Sequence, residues 1–193
     1  ANVVHCTFLG MLAGRFVKPA TMQPVALAEL YRTYLKEELL PFWETNALDE
    51  CYGGVFEAVA ADGTVLSTDK NTAQQAQIAW AFGYAYQLLE ARPEWLQIAR
   101  QSLEFVLSPA FDSKKNPYTQ LDRRGIPLLE SQDRQPLWYM AMAAGQLFKA
   151  TGEVEYVDRA QRLMASGIKQ RDRSAKRQLD SQEVGRVFKS LDE

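Results

Sequence analysis

Three closely set glutamines are the first residues in this chain whose types and spacing suit a chemical task. Gln74, Gln75 and Gln77 open a stretch that reads as a long helix from about Asn71, and each neutral amide can both donate and accept hydrogen bonds. They form either a solvated helix start or a polar pocket floor above an apolar core, and residue types alone leave both readings open. Amides orient polar groups; they do not titrate. The titratable and nucleophilic side chains most often used in catalysis are scarce: the 193 residues contain one histidine, His5, and two cysteines, Cys6 and Cys51. Without regular spacing these make neither a disulfide framework nor a zinc site, so the expectation is no metal, no cofactor and a reducing, cytoplasmic compartment.

The elements that must position the glutamines surround them in Asp49 to Gly83. A Gly53-Gly54 turn is followed by short β-type runs, Val55 to Val59 and Val65 to Leu66, closed by Asp62-Gly63, a pair that tolerates positive φ. In the helix, Ala73, Ala76, Trp80 and Tyr84 mark one stripe and Ile78, Phe82, Ala85 and Leu89 a second on a different face. Apolar residues on two faces predict a helix packed on two sides, as an inner helix of a multilayered α protein is.

Before this stretch, Leu27, Leu30, Tyr31, Tyr34 and Leu35 repeat at helical spacing, and Pro41 is expected to stop or kink that helix. Residues 1–22 read as an arm or as upstream sequence, with Met22 as a natural start. Their apolar run, Val3 to Ala13, lacks a basic region before it and falls short of the ~20 residues of a membrane span, although secretory signals have cores of this length.

After it, Pro93 opens a third helix with Trp95, Ile98, Ala99, Leu103 and Val106 inward and Pro109 at its end. A second hairpin follows, Tyr118 to Leu121 and Ile126 to Leu129 around Arg123-Arg124-Gly125. A fourth helix, about Gln135 to Ala150, has Leu137, Trp138, Ala141, Ala144 and Phe148 inward and Gly152 as its C′ residue. A fifth spans about Val154 to Ser166, with Tyr156, Val157, Ala160, Leu163 and Met164 apolar, and Gly167 closes it.

Phe56 to Tyr118 and Gly63 to Gly125 are both 62 residues apart, so hairpin, helix, turn and helix recur as a unit that buries its face against the next. A closed ring of six such helix pairs needs roughly six such units, so this chain builds about half of one. The domain reading is an arm over 1–22, a helical-pair domain over 23–168, and a polar tail or the start of a missing repeat over 169–193. A net charge of -2 and a pI of about 5.6 offer no electrostatic footprint for nucleic acid.

The run LLPFWETNALDECYGGVFEAVAADGTVLSTDK, the helix with Gln75, Trp80 and Phe82, then RPEWLQIARQSLEFVL and AMAAGQLFKATGEVEYVDRA, together resemble the N-terminal part of the N-acylglucosamine 2-epimerase family, which includes cellobiose 2-epimerases and mannose isomerases. The resemblance extends from about Met22 to about Arg173. It implies an all-α fold of the (α/α)6-toroid type, about half of the ring, with short β-hairpins between helix pairs and a sugar pocket at the inner-helix ends. It also implies C2 epimerisation or aldose-ketose isomerisation of a small-molecule sugar, with no nucleic acid and no membrane as partner.

In that chemistry a base removes the proton α to a carbonyl, an enediolate is stabilised, and an acid returns the proton to the other face. The family's acid-base histidines lie in the second half of the toroid, so the catalytic residues here are unassigned. Tyr52, Gln77 and Trp80 are the substrate-binding residues that the resemblance implies. Tyr52 stands where relatives carry His or Tyr. Gln77 stands where many carry Arg, and an uncharged amide would stabilise an enediolate less well. As large aromatics, Tyr52 and Trp80 are also ordinary packing residues. Asp69 and Glu130 are the nearest acids, and burial would have to raise them before they could serve as bases.

Two readings follow: a sugar 2-epimerase or isomerase represented by its N-terminal half and inactive alone, or a non-catalytic half toroid that binds a sugar or a partner. In either, the unpaired flanks of a half ring predict self-association or a homodimer.

Overall fold

The computed structural model describes residues 23–107, 111, 116–130 and 135–169. The arm over 1–22, with His5 and Met22, and nearly all of the polar tail lie outside the described residues.

The first helical rod has three parts. Helix α1 is Pro24–Tyr34, a π-helical turn covers Leu35–Leu39, and α2 is Leu40–Asn46. Of the two outcomes expected at Pro41, a stop does not occur: the helical rod runs through it. The Leu40 N–H reaches back five residues to the Leu35 carbonyl, so the turn is already widened where the ring of Pro41, which has no N–H, must be accommodated. The rod therefore continues to Asn46 and seats Leu39, Leu40 and Trp43 in the core.

A loop then leads to β1 (Ala58–Val59), which pairs antiparallel with β2 (Val65–Ser67). The Gly63 turn between them has φ +88°, as the Asp-Gly pair requires. Strand β3 (Lys70–Asn71) runs straight into α3 (Thr72–Leu88), whose N-cap is Asn71: its side chain accepts from the Gln74 N–H at 3.1 Å. Helix α4 is Pro93–Leu107. The second hairpin is β4 (Tyr118–Leu121) with β5 (Pro127–Glu130), then α5 is Gln135–Thr151 and α6 covers residues 155–169.

The second hairpin does not stand alone. Strand β4 pairs with β3, Lys70 opposite Leu121 and Asn71 opposite Gln120, so one three-stranded sheet joins the second unit to the start of α3. Helices α3 and α5, each entered from a hairpin, pack side by side, and α3 is also covered by α4. This two-sided packing is why α3 buries residues around most of its circumference, among them Ala76, Ile78, Ala79, Phe82 and Ala85. Full burial of each large side chain here, such as Phe82 or Leu103, is worth about 1.5–3 kcal/mol against exposure. The close approach of α3 to α5 uses Gly83, where a Cβ would come within 3.2 Å of Gln146 Cγ.

The expected buried face of α4 is present in full. That of α5 is shifted: Leu137, Met140, Ala144 and Leu147 are buried, whereas Phe148 is exposed and Trp138 is only half-buried. Gly167 lies inside α6 instead of closing it, because a Cβ there would lie 3.0 Å from Trp138 Cζ2. Glycine thus serves close helix packing at that position, and the helix runs on past it. Gly152, with φ +75°, does terminate α5, its N–H bonding to the Phe148 carbonyl.

Among the described residues, no side chain of α1 is buried, and α6 exposes Met164 and Ile168. The apolar stripe of α1 is half-covered and Val25 and Leu30 are exposed, so apolar side chains at both ends of the helical row remain open to solvent. The purified chain is expected to show a concentration-dependent increase in mass by light scattering, and a monomer at every concentration up to the millimolar range would count against pairing through these faces.

Candidate functional site

The loop from Asp49 to Val55 carries Tyr52 and is organised around one carboxylate. Asp49 is fully buried at its side chain. Its Oδ1 accepts from the Cys51 N–H at 3.1 Å and the Tyr52 N–H at 3.3 Å, which folds the loop back on itself. Its Oδ2 accepts from Lys70 Nζ at 3.0 Å and from Arg123 Nε at 2.9 Å, while Arg123 Nη2 donates to Oδ1 at 3.0 Å. Arg123 therefore grips Asp49 with both prongs of its fork, the strongest geometry for such a pair.

Lys70, equally buried, also donates to the Gly53 carbonyl and lies 4.1 Å from the centre of the Phe105 ring. Burial alone would raise the Asp49 carboxyl, but the hydrogen bonds from Arg123 and Lys70 outweigh it and hold the group down at about 2. For Lys70, burial is the largest influence and pulls the ammonium below its usual range against the opposing pull of Asp49.

The end of the same loop is locked to α3. Gln75 is fully buried; its Oε1 accepts from the Val55 N–H at 2.9 Å and its Nε2 donates to the Val55 carbonyl at 2.6 Å. Gly54, with φ +71°, fits over it, and a Cβ there would come within 2.6 Å of Gln75 Oε1. A second carboxylate, Glu57, ties the two hairpins together. Its Oε2 accepts from Ser67 Oγ at 3.2 Å and Gln120 Nε2 at 2.8 Å, and its backbone carbonyl accepts from Gln74 Nε2 at 3.1 Å.

The three glutamines thus divide, and neither uniform reading of them holds. Gln75 is a structural strut, Gln74 is half-buried on the hairpin, and Gln77 is exposed. Trp80 is half-buried beside Gln77 on the same outward face and stacks on Tyr84, ring centroids 5.1 Å apart and planes 20° apart. Tyr52 is half-exposed on the loop, its ring 5.4 Å from the Arg123 guanidinium. Gln77 and Trp80 therefore share a surface, while Tyr52 belongs to the neighbouring Asp49 loop. Asp69 is half-buried and follows the first hairpin; its backbone carbonyl accepts from the Glu57 N–H at 3.0 Å.

Asp49, Lys70, Arg123 and Glu57 were not singled out by residue type. Asp49 and Arg123 lie 74 positions apart, a pairing that no local pattern shows. The 62-residue repeat does hold one further signal: the same offset carries Gln77 onto Tyr139 of α5, the helix that packs beside α3.

The profile of the N-acylglucosamine 2-epimerase (GlcNAc 2-epimerase) family matches residues 54–190, more than half of the chain. The chain belongs to this family. It is 29% identical over 144 residues to the N-acylglucosamine 2-epimerase of Mus musculus, covering 70% of this chain and 34% of that protein. With the Homo sapiens enzyme the identity is 27% over 133 residues, covering 66% and 31%. Among solved structures it is similar to the cellobiose 2-epimerase of Bacillus thermoamylovorans, with a TM-score of 0.65 and 25% identity over 73% of this chain and 36% of the other. A sugar epimerase from a ruminal bacterium, at TM-score 0.64 and 24% identity, shares the fold.

The 2-epimerase fold is the (α/α)6 toroid, and α3 to α6 with their hairpins form part of such a ring. The chain spans about a third of the length of the relatives it matches. Among the described residues, no helix is long and apolar enough to cross a membrane.

Because the Asp49 carboxyl is lowered in the folded state, it contributes stability that is complete above its ordinary value of 3.8 and is lost as pH falls toward about 2. Asp49→Asn leaves Lys70 and Arg123 without their countercharge, and its expected cost at neutral pH is about 3–5 kcal/mol. In urea melts the gap between wild type and variant should narrow by about 2 kcal/mol between pH 5 and pH 2. A gap that stays constant over that range would mean that the carboxylate is not held low by the cluster.

Proposed function

We propose that this chain supplies the sugar-binding first part of a 2-epimerase or aldose-ketose isomerase that works by removal and return of the proton at C2. The observation that carries the proposal is the family match from residue 54 onward, beginning at the loop that Gln75 and Asp49 hold in place. In this reading Gln77, Trp80 and Tyr52 contact the sugar. Gln77 orients a hydroxyl through its amide, and Trp80, backed by the Tyr84 ring, offers an aromatic face to the C–H side of a pyranose.

Cellobiose, N-acylglucosamine and mannose are the sugars to test. None of the three proposed contact residues is a histidine or a carboxylate, the usual bases for proton abstraction at C2. The acid and base therefore come from outside these residues. The protein is proposed to be cytoplasmic, to need no cofactor, and to have neither nucleic acid nor membrane as partner.

The second reading, a half toroid that binds a sugar or a partner without chemistry, is favoured by Gln77. An exposed neutral amide stands at the position where the resemblance places an arginine, and it gives an enediolate no cationic partner.

A time course of each sugar in D2O with the purified chain, followed by NMR at the C2 proton, tests both. The expected result is no exchange above the protein-free control. Exchange at an enzymatic rate that Asp69→Asn or Glu130→Gln abolishes and His5→Ala does not would place the chemistry inside these 193 residues and overturn the assignment.

A further inference from the structure

We infer that Glu57 is a sugar-hydroxyl acceptor that extends the Gln77–Trp80 face toward the hairpins, an inference that rests on the sugar-binding reading above. Both of its tethers end on one atom: Gln120 Nε2 at 2.8 Å and Ser67 Oγ at 3.2 Å both reach Oε2. Among the described residues, no group donates to Oε1, and no lysine or arginine pairs with this half-buried carboxylate. A half-buried carboxylate oxygen without a protein partner needs a donor, and water or a ligand hydroxyl must supply it.

The group is also preorganised. Ser67 from the first hairpin and Gln120 from the second fix it from two sides, while Gln74 holds its backbone carbonyl at 3.1 Å. Gln74 and Gln77 are three residues apart on α3 and so are neighbours on the helix surface, which puts Glu57 about one helical turn from the amide already proposed to meet the sugar. The chemical class follows from the mixture. A carboxylate oxygen accepts, the neighbouring amides of Gln74 and Gln120 both donate and accept, and a carboxylate with which no lysine or arginine among the described residues is paired disfavours an anionic ligand. A neutral polyol satisfies all of these groups at once.

Glu57→Gln tests this cleanly because its amide oxygen can keep the bonds from Ser67 and Gln120 while its NH2 replaces the free acceptor. By titration calorimetry with mannose, N-acetylglucosamine and cellobiose, the variant should bind the preferred sugar about tenfold or more weakly, with its thermal midpoint within a few degrees of wild type. In the wild-type chain, the Glu57 side-chain carboxylate carbon should shift in NMR as the sugar is added. A carboxylate signal that stays fixed while sugar binds, or a Glu57→Gln affinity equal to wild type alongside a loss in Gln77→Ala, overturns this inference and leaves the sugar-binding reading standing. No saturable binding of any of the three sugars by the wild-type chain overturns both.

Discussion

A carboxylate removed from water must be matched group for group, and that requirement at Asp49 shapes this molecule. Two backbone N–H groups, one ammonium and one forked guanidinium converge on its two oxygens. They come from its own loop, from β3 and from the second hairpin. The loop conformation, the entry into α3 and the seat of the second unit are therefore mutually dependent. A hydrophobic trio of the same volume could be as stable, but it would not distinguish one loop geometry from another. The ionic cluster binds only when all three elements are in place.

Around that point the rest of the structure is arranged for close approach. Gly54 lets the loop lie on Gln75, Gly83 lets α3 lie on α5, and Gly167 lets α6 lie on Trp138. The buried strut of Gln75 and the hairpin bridge of Glu57 repeat the theme with neutral donors. Outward on α3 stand Gln77, Trp80 and Tyr84, a polar amide beside stacked rings, held on a helix that is fixed on two sides and so pays little to present them.

Much of this was legible in the sequence, and the parts that were not share a cause. Period and punctuation located the helices, because Asp62-Gly63 and Gly152 mark turns by local conformation and the apolar stripe of α4 is strictly periodic. The family resemblance pointed to the toroid through its ordered landmarks. Local reading failed where a neighbour decides the outcome: the widened turn absorbed Pro41, close packing recruited Gly167 into a helix, and the shifted face of α5 left Phe148 outside. The division of the three glutamines depended on what lies opposite each one. Asp49, Lys70 and Arg123 are ordinary charged residues in sequence, and only the fold makes them a cluster. Of the proposed contacts, Gln77 and Trp80 share a face, and Tyr52 stands on the adjoining loop.

The π-helical turn at Leu35–Leu39 has a geometric meaning beyond its tolerance of proline. One extra residue in a helical rod rotates everything before it by about 100° relative to everything after it. It thereby sets the azimuth of α1, and with it the direction in which Leu27, Tyr31 and Tyr34 point, independently of the core contacts that fix α2. Losing a single codon between Leu35 and Leu39 would leave Trp43 in place and swing that half-covered face to a new bearing, at the cost of the contacts that Tyr34 and Leu35 make with the core.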